Sequence, residues 1–268
     1  MTERSLSLYD NLPFNFLGLP PEFSSYDLSS VVVLPAGYDS TTSYVSGTRE
    51  APLAIIKASR FMEFFDPELK QDFTRMGIAT LPPFVADMDG PQKTVLKLER
   101  AIDDLLKDRK FVVMLGGEHT LTVGAVNAFL KHFPGMGILQ IDAHLDLREN
   151  YDGTRFNHAC AMRRVVDDCP VTQVGIRSVS QEEFDFVEKK GLKPHYAWEM
   201  KKNPHWKEEV ERELPKNVYV TIDLDGLDPS IMPSVGTPEP GGLLWDDLMD
   251  LLTRSEERRV GKECRSRW

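Results

Sequence analysis

Between Met136 and Arg148 the chain reads M-G-I-L-Q-I-D-A-H-L-D-L-R, and no other stretch leaves the fold less choice. Met136 to Ile141 is apolar enough to be a buried strand, and after it Asp142, His144 and Asp146 alternate with Ala143, Leu145 and Leu147. In an extended segment successive side chains point to opposite faces, so the two carboxylates and the imidazole share one side and the apolar residues the other. Three potential metal ligands therefore converge where the strand enters a loop, and open α/β sheets place their sites at such strand ends. Taken alone, D-x-H-x-D suits a solvated turn equally well.

Two other stretches repeat the arrangement. Phe111 to Leu115 runs into Gly116-Gly117-Glu118-His119-Thr120, which puts His119 at a strand exit ahead of a helical segment from Leu121 to His132. Val218 to Ile222 is a further short strand, ending in D-L-D-G-L-D-P, where Asp223 and Asp225 share a face. The candidate set is then His119, Asp142, His144, Asp146, Asp223 and Asp225. Four crowded carboxylates repel one another unless cations neutralise them, and two divalent ions balance four negative charges.

With 268 residues and 41% hydrophobic content the chain can bury a large core, and its alternation of short apolar runs with amphipathic segments predicts a single α/β domain. Val31 to Leu34 is the first strand; Pro52 opens a helix over Leu53 to Arg60. Gln92 to Lys107 is a helix whose core stripe is Val95, Leu98, Ile102, Leu105 and Leu106. Val171 to Ile176 is a strand ending in Arg177-Ser178-Val179-Ser180, Gln181 to Lys190 a surface helix, and Pro204 to Leu214 a solvated helix face. Residues 1–30, with Pro13, Pro20 and Pro21 among scattered aromatics, read as an irregular arm over the domain or a subunit neighbour. The Gly-, Ser- and Thr-rich loop from Pro35 to Gly47 either closes over a site or turns the chain. After the loop from Glu149 to Asn157, His158 to Arg164 starts a helix, and His158 is a capping or packing residue unless that loop folds it back over the metals. The loop Gly236 to Gly242 is stiffened by prolines beside the last aspartates, with Glu239 in a structural role.

No apolar run is long enough to span a bilayer and the first residues lack a secretion signal, which predicts a cytoplasmic protein. Cys160, Cys169 and Cys264 have no metal-site spacing and suit a reducing compartment. A net charge of -10 argues against a nucleic-acid partner and favours small cationic ones.

The motifs G-G-E-H-T, D-A-H-L-D, D-L-D-G-L-D-P and G-T-P-E-P-G-G, in this order, resemble the signatures of the ureohydrolases, the arginase and agmatinase family of dimanganese guanidino hydrolases. The resemblance runs from Val31 to Leu252. It implies a three-layer α/β/α fold with a central, mostly parallel sheet, two Mn2+ ions per chain, and a homo-oligomer, trimer or hexamer. In the family pattern His119, Asp142, Asp146 and Asp223 hold one Mn, and His144, Asp142, Asp223 and Asp225 the other. Mixed carboxylate and imidazole suit Mn by ligand type, although affinity alone also admits Fe, Co, Ni or Zn. The implied reaction is attack of a metal-activated water on the guanidinium carbon, then collapse to urea and an amine. Asp146, or His158 at the position of the family's proton-shuttle histidine, is the implied proton donor to the departing amine.

Arginases hold the substrate's α-carboxylate and α-amino groups with polar residues at positions that here are Leu147-Arg148 and Ser178-Val179. H-A-C-A-M-R-R and G-T-P-E-P-G-G look instead like the agmatinase branch, so the leading expectation is hydrolysis of agmatine to putrescine and urea. Guanidinobutyrate stays open, with Arg148 as the partner of its carboxylate. A zinc deacetylase-like enzyme would hold a single metal, and a non-catalytic binding protein would have lost ligands; all six are present.

The C-terminal stretch Arg254 to Trp268, with six basic and three acidic residues, resembles the translation of a sequencing adapter. The expectation is that it breaks the amphipathic helix begun at Leu244 to Leu252, leaving a C-terminally truncated catalytic domain over 31–253 and a non-native tail over 254–268. In the family the segment after G-T-P-E-P-G-G adds a strand and a glutamate that pairs with the guanidinium, so weak turnover with intact metal binding is expected.

Overall fold

The computed structural model describes residues 12–259. In chain order it forms β1 (Val31–Ala36), α1 (Ala51–Ser59), β2 (Phe65–Asp66), β3 (Gln71–Asp72), β4 (Ile78–Thr80), α2 (Pro91–Lys107), β5 (Phe111–Gly116), α3 (Leu121–His132), β6 (Gly137–Ile141), β7 (Val171–Ile176), α4 (Gln181–Lys190), β8 (His195–Tyr196), α5 (Trp206–Glu213), β9 (Val218–Ile222) and α6 (Trp245–Arg259). The chain divides into two compact units: one of residues to Tyr38, Gly47–Ala86 and Ala101–Gly117, the other of Asp39–Ser46, Asp87–Arg100 and everything from Glu118. The parallel strands fall into two sheets, one per unit, ordered β4-β1-β5 and β8-β7-β6-β9.

In the first unit β1 runs two residues beyond the predicted Leu34, through Pro35, although it is the middle strand of its sheet. A proline in a middle strand ordinarily removes a ladder bond. Here β4 pairs only Val31 to Val33, so by Pro35 the β4 side of the strand is open and the missing N–H costs nothing; the carbonyls of Val33 and Pro35 on that side accept instead from Leu81 and Phe84. Residues of the predicted irregular arm enter this core, because Leu17 and Leu19 pack with Val33 and Ile78. An antiparallel hairpin, β2 with β3, completes the unit.

In the second unit every residue of β6 is buried, between β7 and β9. Ile138 packs on one face with Val123 and Val126 of α3, while Leu139 and Ile141 pack on the other with Trp206 and Val210 of α5 and with Leu248 and Leu251 of α6. This unit is therefore helix, sheet and helix, as an amphipathic α/β pattern requires. Helix α4 has its predicted bounds, set by a capping box of Ser180 and Glu183 at one end and left-handed Gly191 at the other.

Two expectations are corrected. The segment after His158 forms two single 3-10 turns, His158–Cys160 and Met162–Arg164, not a longer helix. The helix begun near Leu244 is not broken at Arg254 but continues to Arg259; Arg254 pairs within it with Asp250 at 2.9 Å and ties it to α5 through Glu208 at 3.1 Å. Residues 260–268 of the proposed tail, and Cys264 with them, lie outside the described residues. Cys160 and Cys169 are buried free thiols, and among the described residues no helix is long and apolar enough to cross a membrane.

Candidate active site

The site is built on the ends of β6 and β9 and on His119, two residues before α3. At the β6 exit Ala143, Leu145 and Leu147 are buried in the core, while Asp142 and Asp146, buried as well, turn their carboxylates to His119. Asp142 accepts from the Gln140 side-chain amide at 2.8 Å and from the His144 amide at 2.6 Å. Gln140 is held in turn by Gln173, its register neighbour on β7, which donates to it at 2.7 Å. Asp146 has a φ of 54°, a left-handed conformation that aspartate tolerates better than most residues and that turns its carboxylate toward His119.

At the β9 exit a single 3-10 turn, Leu224–Gly226, carries Asp225. The Asp225 carboxylate accepts from the Ala143 amide at 3.2 Å and the Thr237 hydroxyl at 3.0 Å. A Cβ on Gly226 would lie 2.8 Å from the Asp142 nitrogen, so only glycine lets the turn rest against the β6 exit.

His119 Nε2 is tied to Thr221 Oγ1 at 2.9 Å, which aims Nδ1 at three carboxylates: Asp146 at 2.9 Å, Asp142 at 3.1 Å and Asp223 at 3.5 Å. His144 Nδ1 lies 3.2 Å from Asp225 and 3.5 Å from Asp142. All six sequence-predicted ligands are thus assembled, and two groups of donors within 4.8 Å can each hold an ion: His119, Asp142 and Asp223, and Asp142, His144 and Asp225. Asp142 belongs to both.

The crowding of these groups shifts their protonation. Burial and the charge of Asp142 push Asp146 up to about 7. Desolvation, then the charges of Asp225 and Asp142, drive Asp223 well above the carboxylate range. Burial opposes protonation of both histidines, yet the carboxylates facing them outweigh it, raising His144 to about 11 and His119 well above its ordinary value. Although three carboxylates surround it, the buried Nδ1 of His119 makes no hydrogen bond of usable geometry. A proton on one N–H cannot serve three acceptors placed this way; a metal ion can, and the oxygen-rich donor set fits one.

His158 stands apart from the six. Its amide donates to Thr41 Oγ1 at 3.2 Å, its Nε2 lies 3.3 Å from Ser43 Oγ, and its Nδ1 is buried without a partner. Burial lowers its pKa, with the nearby His119 and His144 adding to the effect. Thr41 also donates from its amide and hydroxyl to the buried Glu118, at 2.7 and 2.6 Å, so the loop over Asp39–Ser46 is fastened to both residues. Gln140, Gln173 and Thr221 have no role in the sequence reading, yet a signal was there: each is a polar residue inside an apolar strand, and buried polar groups need partners.

Residues 29–262 match the arginase family. An N(1)-aminopropylagmatine ureohydrolase from Synechocystis is 38% identical over 256 residues, spanning 90% of this chain and 84% of the relative. An agmatinase from Halalkalibacterium halodurans is 32% identical over 232 residues, spanning 85% of this chain and 79% of its own. The crystal structure of the agmatine ureohydrolase of Thermoplasma volcanium superposes with a TM-score of 0.84 at 33% identity, covering 96% of this chain and 87% of that one. A fold of parallel α/β sheets, a cluster of imidazoles and carboxylates at their strand ends, and these likenesses together place the chain in the arginase family, among the hydrolases known as ureohydrolases.

Proposed function

We propose that the six-residue cluster holds two Mn2+ ions and that the chain releases urea from a guanidino amine, agmatine or its N1-aminopropyl derivative. The observation that carries this reading is the pair of donor groups sharing Asp142, which gather two imidazoles and three carboxylates, with the carboxylate of Asp146 2.9 Å from His119 Nδ1. Following the family pattern, His119, Asp142, Asp146 and Asp223 would hold one ion, and His144, Asp142, Asp223 and Asp225 the other. When bound, such a pair supplies a nucleophile at neutral pH by lowering the pKa of water, and charge stabilisation for the transition state.

The chain's own residues do the rest. Gln140 and the His144 amide fix the orientation of the shared carboxylate, and Thr221 fixes the ring of His119. Asp146, whose carboxylate lies 2.9 Å from His119 Nδ1, would hold a proton and pass it on. His158, kept neutral by burial, has an unpartnered Nδ1 available to relay that proton to the departing amine.

Arg148 bears on the substrate. Its guanidinium lies over the Tyr151 ring at 4.6 Å and 3.9 Å from Glu183. Already engaged, it is a poor partner for a substrate carboxylate, which favours the amines over guanidinobutyrate. The relatives' names favour them too: the agmatinases and aminopropylagmatine ureohydrolases act on guanidines that carry an amine at the far end. Urea release measured across agmatine, N1-aminopropylagmatine, arginine and guanidinobutyrate is expected to be fastest with one of the first two. Faster turnover of arginine or guanidinobutyrate would refute the assignment.

A further inference from the structure

Arg177, the first residue after β7, is surrounded by carbonyls. Its amide donates to the carbonyl of Ala143, between Asp142 and His144, at 2.8 Å. Its guanidinium donates to Gly175 O at 3.0 Å, Asp225 O at 2.5 Å, Gly226 O at 3.3 Å, Leu227 O at 3.3 Å, Glu239 O at 2.6 Å and Pro240 O at 3.2 Å. A guanidinium has five N–H groups in a rigid fork, and here they are spent on backbone, leaving none for a substrate.

The acceptors fall in two segments that meet at one carboxylate. Asp225, Gly226 and Leu227 are the backbone that carries the Asp225 side chain. Glu239 and Pro240 belong to the loop that carries Thr237, whose hydroxyl bonds Asp225 Oδ2 at 3.0 Å. Both the main chain beneath Asp225 and the donor that orients it therefore depend on one side chain. In the other donor group Asp142 is oriented by Gln140 and the His144 amide and His119 by Thr221; its one link to the clamped turn is Asp223, which accepts from the Asp225 amide at 3.2 Å, whereas Asp225 depends on that turn for both its backbone and its Thr237 donor.

We infer that Arg177 is a positioning residue that sets the metal affinity of the Asp142–His144–Asp225 group selectively, without touching the metal. The inference rests on the two-metal reading. Removing the guanidinium leaves several carbonyls without donors, the turn relaxes, and Asp225 leaves the position in which its oxygens face His144. A lysine, with three N–H groups on one nitrogen, cannot span both segments.

The test is calorimetric titration of the metal-depleted wild type, Arg177→Gln, Arg177→Lys and Thr237→Val with MnCl2, with electron paramagnetic resonance reading coupled against isolated Mn2+. Wild type is expected to bind two ions with a coupled signal. Arg177→Gln and Arg177→Lys are expected to keep one equivalent within about twofold of wild type and to weaken the other by about 10–100-fold, with an isolated-ion signal at one equivalent. Thr237→Val is expected to weaken that same equivalent by about tenfold. Urea release by Arg177→Gln should return toward the wild-type kcat once Mn2+ is saturating, at a raised half-saturating concentration. Equal weakening of both equivalents, or none, would overturn the inference. If the arginine variants fail to fold, Thr237→Val decides alone, an unchanged second equivalent counting against it. A wild type that binds one ion defeats the two-metal reading and this inference together, whereas two ions bound by the arginine variants with wild-type affinity defeat only the inference.

Discussion

Asp142 and Asp225 are both buried carboxylates at the exits of neighbouring parallel strands, and each lies within reach of His144. They are held by different parts of the chain. Asp142 takes its donors from Gln140 and His144, two residues to either side. Asp225 takes its side-chain donors from Ala143, 82 residues away, and Thr237, 12 residues away, over a backbone clamped by Arg177. A locally held carboxylate is positioned as soon as its strand forms, whereas a remotely held one waits for the tertiary fold to bring its partners together. The first should be robust to change elsewhere and the second should not.

The comparison breaks most plainly at the shared residue. Asp142→Ala removes an oxygen donor from both groups at once, so it is expected to bring metal content below one ion per chain and to cut urea release by roughly 10^3-fold. Elemental analysis beside steady-state kinetics reads both. Retention of two ions would mean that Asp142 is not common to the two groups. Next in size is Gln140→Leu, which strips the local support while leaving the carboxylate. Both metal equivalents should weaken, by about 10–100-fold, because the residue they share has lost its orienting donor. Stability should fall by about 1–3 kcal/mol in denaturant titration, since Asp142 Oδ2 and one N–H of Gln173 lose buried partners. Weakening of a single equivalent by Gln140→Leu would erase the distinction between local and remote support.

What was legible in the sequence divides along the same line. The six clustered residues were legible because each sits within a few residues of a strand whose apolar run announces its end, and Asp142, His144 and Asp146 reveal a common face through spacing alone. The bounds of α4 were legible because a serine cap, a glutamate three residues on and a terminal glycine are local signals. The roles of Arg177, Thr237 and Thr41 were not, because no spacing relates Arg177 to the carbonyl of Glu239, 62 residues on, or Thr41 to Glu118, 77 residues on. Leu17 and Leu19 belong with these: their stretch has no helical or strand period, and only the tertiary fold shows that they enter a core. The run of α6 to Arg259 failed for another reason. Charge does not by itself break a helix: Arg254 pairs with Asp250 at i,i+4 spacing and with Glu208 on α5.

His158 supplies the smallest expected effect, and it tests whether remote support matters where water competes. Its Nε2 lies 3.3 Å from the hydroxyl of Ser43, an exposed residue 115 positions earlier in the chain. This is the same kind of long-range tie as that between Thr237 and Asp225, but it is long and open to solvent, so water can replace it. An exposed hydrogen bond of this kind contributes about 0.5–1 kcal/mol. Ser43→Ala is therefore expected to lower kcat by about two- to fivefold, with KM and both metal equivalents unchanged, because the His158 amide remains bonded to Thr41 and its ring remains edge-on to Tyr151. Steady-state urea release at saturating Mn2+ measures it. A loss beyond tenfold would mean that solvent cannot stand in for the hydroxyl, and that His158 depends on the loop over Asp39–Ser46 as closely as Asp225 depends on Thr237.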